Sequence, residues 1–451
     1  MTSAARTVLS DWVLKLALMG LAFAAATLLL RDIAALPVHV ALAPLEGWHA
    51  YLAEAAMDRA PLYPGELMIN TYPPLSFYLL GALGRLTGDA IIAGRILSLI
   101  SFAAITAGMV ALLRQLGANV ITSLFAGLVL GLTLLAASGV VAVNDPALLG
   151  HALQFQGLLL LLNTRPATIP ASLLFAAGLL VKLSLLAMPL AAILWLLPRH
   201  RREAALMAAI ILGLLAATLG GLHFWMGADL SALVPRSWLA SGPGLRWGPF
   251  LVWAALPLVA LVWLARRFGH DRWVRFAVLY AATGLVMLLA GAGITDCAVA
   301  LGLSGGLALT RFAPPYRGAV ALIYALPLAL YLGLYFRAEN LAYREVFQRQ
   351  ARLDIAMLEV NRGPALCENL ALCYWAGKAE AVDVPNLALA FGPSGGRDDQ
   401  ALARLLASGH YQSVQLARLH PFALGPHVET ALAARYRVQH RDNNGVFLLR
   451  R

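Results

Sequence analysis

Residues 92–141 read IAGRILSLISFAAITAGMVALLRQLGANVITSLFAGLVLGLTLLAASGVV. Two apolar runs, Ile92–Leu113 and Ile121–Val141, are separated by a few residues around Arg114. About 20 consecutive apolar residues cross the roughly 30 Å hydrocarbon core as a helix, which satisfies its own backbone hydrogen bonds. Two such runs joined by a short basic loop predict a helical hairpin in a membrane. The pattern continues on both sides. Trp12–Leu30 precedes it, too long for a signal-peptide core and followed by nothing that reads as a mature N-terminus, so an uncleaved first span is expected. Pro146–Leu162, Ile169–Val181, Leu183–Leu197, Ala204–Trp225, Phe250–Leu264, Phe276–Ala292, Asp296–Leu309 and Gly318–Tyr335 follow.

Composition agrees. Of 451 residues, 60% are hydrophobic and only 13% charged, and the mean hydropathy is +0.74. Charged residues normally make up about 25% of a soluble domain, so hydrocarbon is the solvent for much of this chain. The net charge of +11 is what cationic inner loops produce. No arginine-rich run interleaved with aromatics occurs, so nucleic acid is not expected as a partner.

Lysine and arginine orient the spans. With the N-terminus inside, the inner loops receive Arg114, Arg165, Arg199, Arg201, Arg202, Arg266, Arg267, Arg272, Arg275, Arg311 and Arg317 against Glu203 and Asp271. The outer loops receive Glu46, Glu54, Asp58, Glu66, Asp89, Asp145, Asp229 and Asp296, with fewer bases. Pro73–Leu86 breaks the scheme: it is apolar but short, opens with two prolines and contains Gly81 and Gly84. It is expected to be an outer-face or re-entrant helix under cover of its neighbours. The expected fold is a polytopic α-helical membrane protein of about eleven spans, N-terminus cytoplasmic.

After Tyr335 the composition becomes ordinary. Helices are expected over Leu341–Leu358 and Asp398–Ala407 and ending at Thr430–Arg435, and strands over Val414–Leu416 and Val446–Leu449. The turn signal Asp442-Asn443-Asn444-Gly445 precedes the last of these. The division predicted is a transmembrane catalytic module over residues 1–337, with its first outer loop at 31–72, and a small soluble extracytoplasmic α/β domain over 338–451. That domain is expected to cover the outer cavity and help select the acceptor. Three cysteines make no disulfide scaffold; Cys297 reads as packing, and Cys367 and Cys373 could pair if the tail is exported.

Ionisable residues near the bilayer carry most of the functional information. In the first loop, PLEGWHAYLAEAAMDRAPLYP (44–64), a short interfacial helix is expected over Ala50–Asp58. Glu46 before it, near His49, is either a general base or the cap of that helix. Asn144-Asp145-Pro146 opens a span at its outer end, and Asn144, His151 and Gln154 share a face that meets either a cavity or another helix. Lys182 lies between two half-length apolar runs, where it either binds a headgroup-level phosphate or snorkels to water. Arg236 and Arg246, in the outer loop SALVPRSWLASGPGLRWG, are further phosphate partners or interfacial anchors.

Taken in order, PLEGWHAYLAEA, NTYPPLSFYLL (70–80), VNDPALLGHAL (143–153) and LLVKLSLLAMPL (179–190) resemble the GT-C class of membrane glycosyltransferases, which use polyprenyl-phosphate sugar donors. The protein mannosyltransferase, aminoarabinose transferase and rhizobial core-oligosaccharide transferase groups are the similar ones. The resemblance covers Trp12–Arg202 well and the later spans in outline. It implies an inverting transferase with an outward-facing site, moving sugar from a polyprenyl-phosphate carrier to a glycan, lipid or protein acceptor, in a bacterial inner (plasma) membrane.

It also implies residue roles. Glu46 takes the place of the family's first-loop base, and Asp145 that of its second acid, which binds magnesium or manganese in some members and only orients substrate in others. Lys182, Arg236 and Arg246 would stabilise the leaving phosphate. His49, Tyr72, Asn144 and His151 would complete the donor and substrate contacts. Two departures stand out: Leu45 precedes Glu46 where many relatives carry adjacent acids, and the second motif is Asn-Asp, with one carboxylate. The competing reading is a transporter or flippase for a lipid-linked sugar or small solute, which predicts inverted repeats and charges deep in several helices. No repeat is evident, and the acids cluster at outer span ends.

Overall fold

The computed structural model describes residues 3–63, 67–136, 141–162, 167–227, 247–289, 295–338, 341–379, 381–384, 386–387, 399–417 and 425–451. The helices before the tail are α1 (Ser3–Ala35), α2 (Glu46–Met57), α3 (Leu75–Thr87), α4 (Ala90–Gln115), α5 (Val120–Ala136), α6 (Ala147–Leu161), α7 (Thr168–Val181), α8 (Ala187–Leu196), α9 (Arg201–Met226), α10 (Trp247–Phe268), α11 (Arg272–Leu289), α12 (Thr295–Arg311) and α13 (Arg317–Ala338). Among the described residues, α1, α4, α9 and the stretch Pro314–Leu332 are each long and apolar enough to cross a bilayer. Five shorter apolar helices pack with them, among them α5, α6, α7 and α8.

One apolar core holds this bundle together, drawn from α1 and from α4 onward to α13. Its outer surface is apolar too: Phe23, Leu212, Phe224 and Trp225 are largely exposed on α1 and α9, which only a lipid surround makes favourable. Inside the bundle small residues set the distances. A Cβ on Gly178 of α7 would lie 2.5 Å from Gln154 Cγ and 2.9 Å from the Gly150 carbonyl oxygen of α6. The two helices therefore touch backbone to backbone, as small-residue crossings allow where lipid supplies no hydrophobic drive for association. The short loop between them makes α6 and α7 antiparallel, so the start of α6 meets the end of α7.

Pro73–Leu86, expected as a short outer-face helix, is α3, packed between α2 and α4. The first-loop helix begins four residues earlier than expected, at Glu46. The expected span Leu183–Leu197 is helical only over α8, because the chain after α7 stays non-helical until a helix opens with Pro189 in its first turn.

In the tail, α14 (Leu341–Val360) leads into β1 (Ala365–Cys367), α15 (Leu370–Trp375), α16 (Gln400–Ser408), β2 (Ser413–Leu416), α17 (Pro426–Arg435), β3 (Tyr436–Asp442) and β4 (Gly445–Arg450). The sheet order is β1-β2-β4-β3. β1 and β2 run parallel, with Leu366 opposite Val414, and β4 is antiparallel to both β2 and β3. A register shift between Val438 and His440 marks a bulge in β3. Leu366, Val414, Leu448, Leu402, Leu406, Val428 and Tyr436 fill the core between sheet and helices. Cys367 and Cys373 are disulfide-bonded, tying β1 to α15.

The tail sits on the first loop. A Cβ on Gly47 would collide with the backbone of Leu370 and Ala371, so α2 and α15 meet with no side chain between them. Trp48 Nε1 donates to Asp383 Oδ2 at 2.9 Å, and Tyr51 Oη donates to the Lys378 carbonyl at 2.6 Å. Trp375 Nε1 donates to Asp89 Oδ2 at 2.9 Å, and the Ala90 amide donates to Tyr374 Oη.

Candidate active site

Three element ends converge at one end of the bundle: the start of α2, the turn before α6 and the turn after α7. Asp145 Oδ1 accepts from the Ala147 amide at 2.7 Å, which starts α6. The α6–α7 crossing then brings Lys182, at the C-terminal end of α7, alongside, with Nζ 3.8 Å from Asp145 Oδ1. About a fifth of the Asp145 side chain and a quarter of Lys182 are exposed (21% and 26%). Tyr72, from the YPPL segment, lies beneath the ammonium, its ring centroid 5.3 Å from Nζ. His49, projecting from α2, meets Tyr72 edge to face with centroids 5.2 Å apart.

A narrow cavity opens beside this group, lined by His49, Ser76, Phe77, Asn144, Asp145 and Leu149 among others. His49 Nε2 is buried with no hydrogen-bond partner among the described residues. Burial depresses the His49 imidazole to about 4, Asp145 opposing and Lys182 assisting, so the ring is neutral at physiological pH. Burial alone would raise the Asp145 carboxyl. The Lys182 ammonium, His49, the Ala147 amide and His151 outweigh it and hold the group below the ordinary carboxylate range. Burial raises the Tyr72 phenol, which stays protonated.

Glu46 lies elsewhere in chemical terms. It is fully buried, and four donors fill its carboxylate. Arg95 Nε reaches Oε1 at 2.8 Å and Arg95 Nη2 reaches Oε2 at 2.7 Å; the Leu42 amide donates to Oε2 at 2.7 Å and the Asn144 amide to Oε1 at 2.9 Å. A general base needs a lone pair within about 3 Å of the acceptor proton, and in the unliganded protein these four donors occupy the Glu46 carboxylate. Glu46 does not cap α2, whose N-cap is Leu45 with no side-chain cap bond. Its geometry in the unliganded protein is that of a buried ion pair that fixes the loop, and this corrects the cap reading of the residue. Asn144 serves the same construction, its Nδ2 donating to the Glu46 carbonyl at 2.9 Å. Ala142 just before it takes a left-handed conformation (φ 53°), a backbone strain of the kind found near functional turns.

Sequence reasoning missed Arg95. This guanidinium, fully buried on α4, also donates to the carbonyls of Leu36, Val38 and Val40, gathering the whole segment from α1 to α2. The signal was present: an arginine inside the apolar run IIAGRILSLI costs too much to occur without a partner.

The remaining expected residues separate. His151 is buried one turn inside α6. Gln154 donates to the Leu185 carbonyl at 2.8 Å, so this part of the shared face is spent on helix packing. Arg236 and Arg246 lie outside the described residues. Asp145 offers one carboxylate, with an ammonium 3.8 Å from the same oxygen. Magnesium and manganese prefer several oxygen ligands, and this donor set does not fit either ion.

Several helices are long and apolar enough to cross a bilayer, as in a multi-pass membrane protein, and the fold as a whole is shared with solved structures. The chain is similar to ArnT from Cupriavidus metallidurans bound to undecaprenyl phosphate, with a TM-score of 0.63 and 15% identity over 95% of this chain and 97% of that one. It is likewise similar to the apo state of the same protein, with a TM-score of 0.60 and 14% identity over the same shares. No protein-family model matches the chain, and no curated protein does.

Proposed function

We propose that this chain is an inverting glycosyltransferase that moves a sugar from a polyprenyl-phosphate carrier to an extracytoplasmic glycan, lipid or protein acceptor. The observation that carries the reading is the Asp145–Lys182 pair beneath the first loop, on a GT-C fold. Lys182 binds the donor phosphate as a compact charge on a flexible stem. Asp145, ionised at neutral pH, accepts the proton of the acceptor hydroxyl. The hydroxyl oxygen attacks the anomeric carbon as the carbon–oxygen bond to phosphate breaks, and the departing polyprenyl phosphate leaves with its charge held by Lys182.

Inversion requires base and leaving group on opposite faces of the sugar. Donor binding must therefore draw Lys182 away from Asp145, which removes the largest influence depressing that carboxyl and strengthens it as a base. His49, neutral and with Nε2 unpartnered, supplies an acceptor atom for a sugar hydroxyl. Residues 338–451 act in this reading as an extracytoplasmic domain seated on the first loop, with the N-terminus cytoplasmic and the protein in a bacterial inner membrane. No step passes through a metal.

The test uses protein purified in nanodiscs, with polyprenyl phosphate as the probe and thermal stability as the readout. Stabilisation of wild type that shrinks in Lys182→Ala supports the lipid-phosphate site. No shift in either protein sinks the reading and leaves a transporter as the better account.

A further inference from the structure

Away from the cavity, three side chains of the tail point their donor atoms at one another: Asp354 from α14, and His440 and Asp442 from β3. His440 Nε2 lies 3.0 Å from Asp354 Oδ1 and 3.8 Å from Asp442 Oδ2. One ligand atom from each residue falls within 4.8 Å of the other two. Nitrogen and oxygen atoms bound to a common zinc ion at about 2.0–2.2 Å sit roughly 3.4 Å apart when tetrahedral. The two measured separations lie on either side of that value.

The local structure explains the convergence. His440 and Asp442 are two residues apart on a strand and so share a face. The bulge at 438–440 re-aims that end of β3, and Phe447 stacks beneath His440 with centroids 4.5 Å apart and the rings within 7° of parallel. Asn444 orients both acids. Its Nδ2 donates to Asp354 Oδ2 at 2.7 Å, and its amide donates to Asp442 Oδ1 at 2.8 Å. One oxygen of each carboxylate is thereby pinned, and the other is the one nearest His440. Partners of this kind orient metal ligands in known sites.

The donor set favours a cation as well. Asp354 is almost wholly buried (1% exposed). Among the described residues no lysine or arginine pairs with either carboxylate; His440 is the only basic partner of both. Two carboxylate oxygens and an imidazole nitrogen facing one another form a mixed donor set of the kind that holds a transition-metal ion. His440, about a third exposed, leaves a way in from solvent.

We propose that Asp354, His440 and Asp442 bind a divalent transition metal, zinc by donor chemistry, which clamps α14 to the β3–β4 hairpin. The imidazole nitrogen disfavours calcium and magnesium, which take oxygen ligands. Water completes the coordination. The site is independent of Asp145 and of the transferase reading.

The full chain, purified in detergent and stripped with EDTA, is titrated with zinc chloride, and bound metal and melting temperature are measured together. One zinc per chain is expected, with a rise of several degrees that magnesium does not reproduce. His440→Gln and Asp442→Asn, both on the hairpin, are expected to lose at least tenfold in affinity, while Asp145→Asn keeps full uptake. Absence of stoichiometric zinc in the wild type overturns the assignment, as does uptake and stabilisation left unchanged in the His440 and Asp442 variants.

Discussion

A carboxylate that looks catalytic in sequence can be engaged by its neighbours in space, and Glu46 is held by four donors. Losing one member of a buried ion pair costs on the order of 3–5 kcal/mol, because the other charge is left without compensation. Glu46→Gln is accordingly expected to lower the melting temperature strongly and to reduce activity only through the loss of folded protein. Full stability with abolished turnover would return Glu46 to the chemistry. Asp145→Asn should do the reverse: a smaller loss of melting temperature than Glu46→Gln, and among the molecules that fold a fall in kcat of about 10²–10⁴.

The pH dependence separates the two residues further. Asp145 lies below the usual carboxylate range in the unliganded protein. Its ionised form therefore persists as the pH falls, and kcat/KM should hold until below about pH 4. Lys182→Met removes the main cause of the depression, so the acid limb should move to higher pH. The Asp145 and Lys182 positions were legible because each breaks an apolar pattern at the end of a span. The role of Glu46 was not, since Arg95 stands 49 residues away and only folding brings them together.

The α6–α7 pair shows how an element sets a site without contributing its chemistry. Lys182 reaches Asp145 because the two helices touch at Gly150 and Gly178. Gly178→Ala must push against Gln154 and the Gly150 carbonyl, an overpacking cost of roughly 1–3 kcal/mol. The expected readouts are a lower melting temperature and weaker polyprenyl-phosphate stabilisation, although neither Asp145 nor Lys182 is altered. A variant with normal phosphate response would show that the crossing is not what aligns the pair. Hydrophobic periodicity located α6 and α7 but could not reveal their closest approach, because glycine leaves no signal of what lies opposite it. In the tail, the strand β4 was readable from its apolar run and preceding turn. β3 was not, because as an edge strand it carries polar, largely exposed side chains, and β1 is only three residues long.

For the molecule as a whole, the seat of the tail on α2 is sensitive to pH through Asp383. Burial raises this carboxyl to about 6, against an ordinary Asp value of 3.8. The folded state therefore holds the proton more tightly than the unfolded chain. Stability from this group is greatest below about pH 4 and falls as the pH rises to about 6, by roughly 3 kcal/mol in all. Melting temperatures of wild type and Asp383→Asn, compared from pH 4 to 8, should diverge over that window, with the variant flat. Parallel curves would mean that Asp383 is charged or paired differently. The disulfide adds its own contribution. Closing so short a loop stabilises by about 2 kcal/mol in the chain-entropy description, and reductant should lower the melting temperature by a few degrees.

Trp48 finds its hydrogen-bond partner 335 residues later in the chain, and this has a consequence for how the protein is made. A ribosome delivers the first loop long before it delivers Asp383, Lys378 and α15. Until those residues have been made, α2 has nothing to rest against, and the walls of the cavity stay unsupported. A late-made segment thus acts as the keystone of an early one, and a nascent chain lacks the support of α2 until residues 370–383 have been made and set in place.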